Sequence, residues 1–319
     1  MTRWGEHHEL TGKLGKGSFA RVYKAVDERT GESVAIKVIS IDRLGNDQRL
    51  HQNLMSEIDI MKNYIHPCIC QLYENFSDSK HISLVIQYCA GGDLQKFIRK
   101  SNRLSEALTR KFLVQLAAGL EFLHGKNIIH RDIKSQNILL SEASSNAQLK
   151  IADFGFAKHL EEAAMAHSVC GTPLYMAPEV FNRLKYDSKV DIWSMGCVLF
   201  EMLTGAPPFR GSNPVELFTN IRDAKPLNVP QDVTVSEDMM DLLRSTLQRD
   251  PVKRSSLSDF VRSCNALGNN PSFQEISRST STDVAKTTPD TTPTKSSALY
   301  SPVPAINHSG EHSGRKRIQ

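Results

Sequence analysis

The hydrophobic period of the chain changes at AGGDL, residues 90–94, and that change restricts its fold more than any other feature. On the N-terminal side, apolar residues come in short alternating segments from about Leu10 to Ile39, broken by GKGSF and DERTGE, which predicts three antiparallel strands joined by turns. NLMSEIDIMKNYI then places Leu54, Ile58, Met61 and Ile65 on one stripe at helical spacing, and HISLVIQYC returns to a strand. Beyond AGGDL, the segments LTRKFLVQLAAGLEFLHGK, DIWSMGCVLFEMLTG and EDMMDLLRSTLQ carry apolar residues three and four apart, the spacing of one helical face. The expected architecture is α+β. A small antiparallel β lobe with one main helix spans about residues 8–88, and a larger, mainly helical lobe spans about 89–267.

Residues 268–319 are rich in Ser, Thr and Pro and poor in large apolar groups, so they bury too little surface to offset their ordering entropy and are expected to be a disordered tail. A net charge of +4 over 319 residues is too small to mark nucleic acid or an anionic membrane as the main partner. No apolar run approaches the roughly 18 residues of a membrane span; the longest, CVLFEML, is interrupted by Glu201. The six cysteines include no pair at metal-ligand spacing, and MTRWGEHHEL has no apolar signal core, so a reduced, cytoplasmic protein is expected rather than a disulfide scaffold.

Chemistry enters at four places. GKGSFA, residues 15–20, lies between two expected strands rather than before a helix, unlike a dinucleotide fold or a Walker loop, and its glycines would let a hairpin backbone bend over a triphosphate. In VAIK the strand period puts Ala35 and Lys37 on one face with Val22 alongside, so an adenine ring can sit between Val22 and Ala35 while Lys37 reaches the phosphates. An inward ammonium needs a partner, and the apolar stripe of the next helix presents Glu57. Taken singly, a plain hairpin turn and a strand lysine reaching for water would carry the same letters.

HRDIKSQN, residues 130–137, is far more specific. Asp132 can accept the proton of a substrate hydroxyl, Lys134 can neutralise a transferring phosphate and Asn137 can hold a metal through its amide oxygen. On equal residue frequencies, His, Arg, Asp, Lys and Asn at this spacing arise by chance at about one start in three million. DFG, residues 153–155, follows the apolar LKIA; there Asp153 can bridge metal ions to the phosphates and Gly155 lets the chain turn.

These motifs, in this order, resemble the eukaryotic protein kinases over about residues 8–267. The resemblance implies a two-lobed fold, ATP and Mg²⁺ as cofactors, a Lys37–Glu57 ion pair, Asp132 as catalytic base with Lys134 beside it, and Asn137 and Asp153 as metal ligands. It also implies an ATP site formed by Leu14, Gly15, Lys16, Gly17, Ser18, Phe19, Ala20, Val22, Ala35 and Lys37, with Gln87 to Cys89 as the hinge, Ile86 as gatekeeper, Asp93 near the ribose, and Leu139 below. By the same likeness Glu179 of APE is an anchor paired with Arg254, and Asp191 braces the catalytic loop.

Lys134 in HRDIK and Gly-Thr-Pro at 171–173 match serine/threonine rather than tyrosine kinases, with Thr172 near Asp132 and Lys134. Val169, Pro173 and Met176 are expected to form an apolar pocket for the residue after the acceptor, and Gln136 stands where arginine-directed kinases often have an acid, so no strict upstream arginine is expected. Arg131 is expected to receive a phosphate on the activation segment, with Ser168 as the acceptor. GSFARVYKA, IADFGFAKHL and VCGTPLYMAPEVF are similar to the autophagy-initiating kinases, although NIMA-related, Fused-like and calcium/calmodulin-dependent kinases share many of these letters. Thr172 departs from the serine usual in the autophagy group, and a chain without that group's long C-terminal extension is expected. Protein substrates are the expected partners, and Phe273 and Ile276 in SFQEIS have the spacing that would add a strand to a ubiquitin-like autophagy modifier, with recruitment to autophagic membranes. A pseudokinase scaffold would lack Lys37, Asp132, Asn137 or Asp153; all four are present.

Overall fold

Val34 to Ile39 are buried on both faces of their strand, and such a strand has to lie inside a sheet rather than at its edge. The computed structural model describes residues 2–16, 20–41, 55, 58, 61–153, 174–182, 186–223 and 227–269. Its N-terminal part is an antiparallel sheet of β1 (Thr2–Trp4), β2 (His8–Lys16), β3 (Ala20–Asp27), β4 (Ser33–Ser40), β5 (Leu72–Ser77) and β6 (His81–Gln87), ordered β1-β2-β3-β4-β6-β5. The three strands expected between Leu10 and Ile39 are β2, β3 and β4; β1 and β5 are additions that the alternation did not signal.

Period two along β4 sorts its side chains. Val34, Ile36 and Val38 pack with Ala25 and Val85 in a small cluster capped by Trp4, Leu10, Tyr23 and Phe76. Ile39, on the other face, joins Ile58, Met61, Leu72, Ile82 and Leu84 in the core that continues into the helical lobe. Lys37 lies on this second face, turned toward the rest of the molecule, and is 8 % exposed.

Ile58 and Met61 are helical, as the stripe predicts, and so is Met55; Leu54 lies outside the described residues. Ile65 is not part of that stripe: the helix ends at Met61, the chain turns, and Ile65 is 78 % exposed. His66-Pro67 bars the helix from running on past that point, because proline disfavours helical geometry at the residue before it, and the chain already turns at Lys62 and Asn63.

After β7 (Gly92–Asp93) the chain forms α1 (Leu94–Ser101) and α2 (Glu106–Gly125), then β8 (Ile138–Leu140) and β9 (Leu149–Ile151), which pair with β7 in a small sheet. The helices α3 (Pro178–Phe181), α4 (Lys189–Thr204), α5 (Pro214–Arg222), α6 (Glu237–Thr246) and α7 (Leu257–Gly268) complete the described residues. Side-chain caps start α1, α2, α5 and α7: Asp93 accepts from the Lys96 amide, Ser105 from Leu108, Asn213 from Glu216 and Ser256 from Asp259.

Every residue of α4 from Val190 to Leu203 is buried, so it is the axis around which the lobe packs. Its C-terminal turn ends on Gly205 at φ 81°, where a β-carbon would meet the Asn102 carbonyl oxygen at 2.1 Å. Trp193 of α4 stacks on Phe209 at 5.5 Å, and the Arg254 guanidinium lies 5.2 Å over the same indole.

Arg254 is 1 % exposed and makes a two-pronged pair with Glu179, 5 % exposed, at 2.6 and 2.9 Å. It also donates to the main-chain oxygens of Gln248 and Lys189, so the pair ties the start of α3 to the loop before α7. We predict that Arg254→Met, which strands a buried Glu179 carboxylate, lowers unfolding free energy by about 3–5 kcal/mol, read from the urea midpoint. A loss below about 1 kcal/mol would show that the pair is not a clamp.

Candidate active site

A carboxylate with no solvent exposure organises the loop at 130–137. Asp191, in the first turn of α4, accepts the His130 amide at 2.8 Å on one oxygen and the Arg131 amide at 2.8 Å on the other. His124, at the end of α2, bonds the first oxygen through Nε2, also at 2.8 Å. Two helices thus fix the loop's backbone. The cost of burying the charge is met by three hydrogen bonds and by the positive end of the α4 dipole. The His130 ring is buried and meets the Ala152 carbonyl at 2.9 Å, linking the loop to the strand that delivers Asp153.

On this frame the functional side chains converge. Lys134 Nζ lies 2.8 and 2.7 Å from the two carboxylate oxygens of Asp132. Asn137 sits in a short 3₁₀ turn, Ser135–Asn137, and its Nδ2 donates to the Asp132 carbonyl and carboxylate, both at 2.8 Å. From the β lobe, Lys37 Nζ reaches Asp153 Oδ1 at 2.7 Å. Burial works against ionisation of Asp153, but Lys37, with His130 and Lys134 behind it, outweighs burial and holds the carboxyl below the usual carboxylate range. Arg131 and Asp153 adopt φ of 66° and 64°, left-handed backbone that costs about 1–3 kcal/mol each and persists only where the surroundings enforce it.

The described residues expected at the nucleotide site lie on the β2–β4 and β6 strands, on the connection after β6 and on β7 and β8. Val22 is directly paired with Lys37 across the β3–β4 ladder, and Ala35 is paired with Ile86 of β6. Gln87 ends β6, and Tyr88 and Cys89 lead to the helical lobe. Leu139, on β8, is half-buried and faces Lys150 in the ladder, while Asp93 is held by its capping bond and by Lys96 at 2.8 Å. Leu14 and Lys16 are exposed, with Gly15 between them opposite Val22 and Ala20 opening β3. Gly17, Ser18, Phe19, Glu57, Gly155, Ser168, Val169, Thr172, Pro173, Phe273 and Ile276 lie outside the described residues.

A polar trio beneath the site has no counterpart in the sequence reading. Tyr175 donates its hydroxyl to Glu201 Oε2 at 2.7 Å and lies 3.0 Å from Ser135 Oγ, and its carbonyl accepts from Ser194 at 2.8 Å. Burial raises the Glu201 carboxyl, which Tyr175 and Ser135 partly offset. The trio ties residues 174–177 to both the catalytic loop and α4. The signal available was the polar Glu201 inside an apolar helix, a residue that needs a buried partner. Arg131, half-buried, carries its guanidinium 5.7 Å over the Tyr186 ring, and its buried Nε has no hydrogen-bond acceptor among the described residues.

The protein kinase domain family matches residues 8–264 of the chain. The serine/threonine-protein kinase ULK3 of Homo sapiens is 45 % identical over 252 residues, covering 79 % of this chain and 53 % of that protein. The serine/threonine-protein kinase ATG1c of Arabidopsis thaliana is 43 % identical over 249 residues, covering 78 % of this chain and 34 % of its own length. The chain therefore spans between 34 % and 53 % of these two relatives. Among solved structures, Rad53 residues 1–466 in complex with AMP-PNP superimposes with a TM-score of 0.69 at 32 % identity, over 80 % of this chain and 64 % of that one.

If Asp191 fixes the loop, Asp191→Asn should release it locally. Asparagine offers one acceptor oxygen where two are used, so amide exchange at His130 and Arg131 should accelerate by about 10- to 100-fold, the equivalent of a lost charged hydrogen bond. Exchange read by mass spectrometry at unchanged rates would remove the assigned brace.

Proposed function

Because the chain belongs to the protein kinase family, we propose that it transfers the γ-phosphoryl group of ATP to serine and threonine hydroxyls of protein substrates. The observation that carries this reading is the pairing of Lys37 from the β lobe with Asp153 from the helical lobe, 2.7 Å apart, beside the linked Asp132, Lys134 and Asn137. Phosphoryl transfer asks mainly for positioning and charge compensation, and these residues supply both.

The donor set fits a hard divalent cation. Asp153 offers carboxylate oxygen, and Asn137, whose Nδ2 is committed to Asp132, offers its amide oxygen. Magnesium held there would neutralise triphosphate charge. Lys37 grips the nucleotide phosphates, Asp132 takes the proton of the attacking hydroxyl, and Lys134 moves its charge toward the transferring group. Lys134 in the catalytic loop favours serine and threonine as acceptors, and the exposed Gln136 supplies no carboxylate for an upstream arginine.

The similarity to ULK3 and ATG1c supports placing the chain among autophagy-initiating kinases, acting in the cytoplasm and at autophagic membranes. The proposed contact of Phe273 and Ile276 with a ubiquitin-like modifier belongs to the same reading. The proposed activation by phosphate at Ser168, received by Arg131, is supported by the Arg131 Nε, which has no acceptor among the described residues.

An ATP–magnesium phosphotransfer assay on generic protein substrate tests the chemistry: Lys37→Arg and Asp153→Asn should each lower kcat/KM by about 100-fold or more. Equal incorporation by both variants and the parent would sink the catalytic assignment, and normal starvation-induced vacuole formation in cells lacking the protein would sink the pathway. Ser168→Ala should be inactive and Ser168→Glu partly restored; full activity in Ser168→Ala removes the switch.

A further inference from the structure

Two ends of the β-lobe sheet meet at a buried histidine. His8 opens β2 opposite Asp27, its ladder partner at the end of β3, and Glu74 comes from β5, the last strand in the sheet order. The sheet curls enough to bring them together: His8 Nε2 is 3.2 Å from Glu74 Oε1 and 4.0 Å from Asp27 Oδ2, and one ligand atom from each residue lies within 4.8 Å of the others. The imidazole stacks on Phe76, also of β5, at 6.2 Å. His8 is 2 % exposed, yet neither ring nitrogen makes a hydrogen bond among the described residues, although buried polar atoms normally have one.

The two carboxylates, by contrast, share a cation. The Arg29 guanidinium donates to Asp27 Oδ1 at 2.9 Å and Oδ2 at 2.7 Å, and to Glu74 Oε1 at 2.7 Å and Oε2 at 3.5 Å. Its side chain is 46 % exposed, so it can turn out into water. Asp27 would stay oriented, because the Arg29 main-chain amide donates to Oδ1 at 2.9 Å and leaves Oδ2 free to face the imidazole. One imidazole nitrogen with two carboxylate oxygens is a donor set that zinc accepts. At metal–ligand distances of about 2.0–2.2 Å, tetrahedral ligands stand about 3.3–3.6 Å apart. His8 and Glu74 are already that close, and Asp27 has about 0.5 Å to gain.

We propose that His8, Asp27 and Glu74 form a zinc site in which Zn²⁺ takes the place of the Arg29 guanidinium, with water as the fourth ligand on the solvent side of Glu74. The ion binds His8 Nε2, Asp27 Oδ2 and Glu74 Oε1, and so ties β5 to the β2–β3 pair. Magnesium and calcium prefer all-oxygen shells, so the imidazole selects against them and separates this site from the cation position proposed at Asn137 and Asp153.

The test uses the full chain, stripped with EDTA, dialysed into excess magnesium and titrated with zinc chloride in a calorimeter, with Tm read alongside. The expected result is one equivalent bound with a micromolar Kd, and a Tm about 5 °C higher at saturation. His8→Phe, which keeps the stack on Phe76, and Glu74→Gln should each weaken that equivalent at least tenfold. Arg29→Ala should do the reverse, lowering Tm without zinc and binding zinc about tenfold more tightly, because the competing cation is gone. A cluster that serves only as an ion pair does not give that gain. The proposal is overturned by a parent that binds no zinc, by parental affinity in both His8→Phe and Glu74→Gln, or by Arg29→Ala that binds zinc no better than the parent. If His8→Phe does not fold, Glu74→Gln decides alone.

Discussion

Burying a carboxylate costs several kcal/mol unless its oxygens are filled, and Asp191 satisfies that demand entirely with groups whose positions matter for chemistry. Its partners are the amides of His130 and Arg131 and the ring of His124. Since α4 is buried throughout, Asp191 cannot shift without disturbing the lobe's core, and the loop inherits that rigidity. Left-handed geometry at Arg131 is the local consequence: the chain is bent so that two consecutive amides point at one side chain. The placement of Asp132, Lys134 and Asn137 thus leans on a helix whose hydrogen bonds to the loop, among the described residues, go instead to the neighbouring His130 and Arg131.

The β lobe contributes by a different route. Strand periodicity alone turns Lys37 to the face shared with Ile39, and the ladder holds Val22 and Leu84 on either side of it. The ammonium is thereby aimed across to Asp153, whose own backbone is strained into place after β9. One lobe positions by regular pairing and the other by burial and strain.

Much of this was legible beforehand because it rests on short-range patterns. The β2–β4 strands, the helices α2, α4 and α6, and the gathering of Asp132, Lys134 and Asn137 in one loop follow from period and spacing that a single segment contains. What escaped depends on partners distant in the chain. The Ser135–Tyr175–Glu201 trio joins residues 40 and 26 positions apart, and no local pattern encodes such a meeting. Strand β5 was missed because YENF is half polar at a sheet edge, where only one neighbour is present to reveal it. Ile65 misled for the opposite reason: its spacing fits a helix that has already ended at Met61.

The pairing around Asp132 also makes its carboxylate asymmetric. Oδ2 accepts from both Lys134 and Asn137, while Oδ1 accepts from Lys134 alone. With about two lone pairs per oxygen, the first is saturated and the second keeps one vacant. The vacant lone pair on Oδ1 leaves a single direction from which a further hydrogen-bond donor can reach this carboxylate.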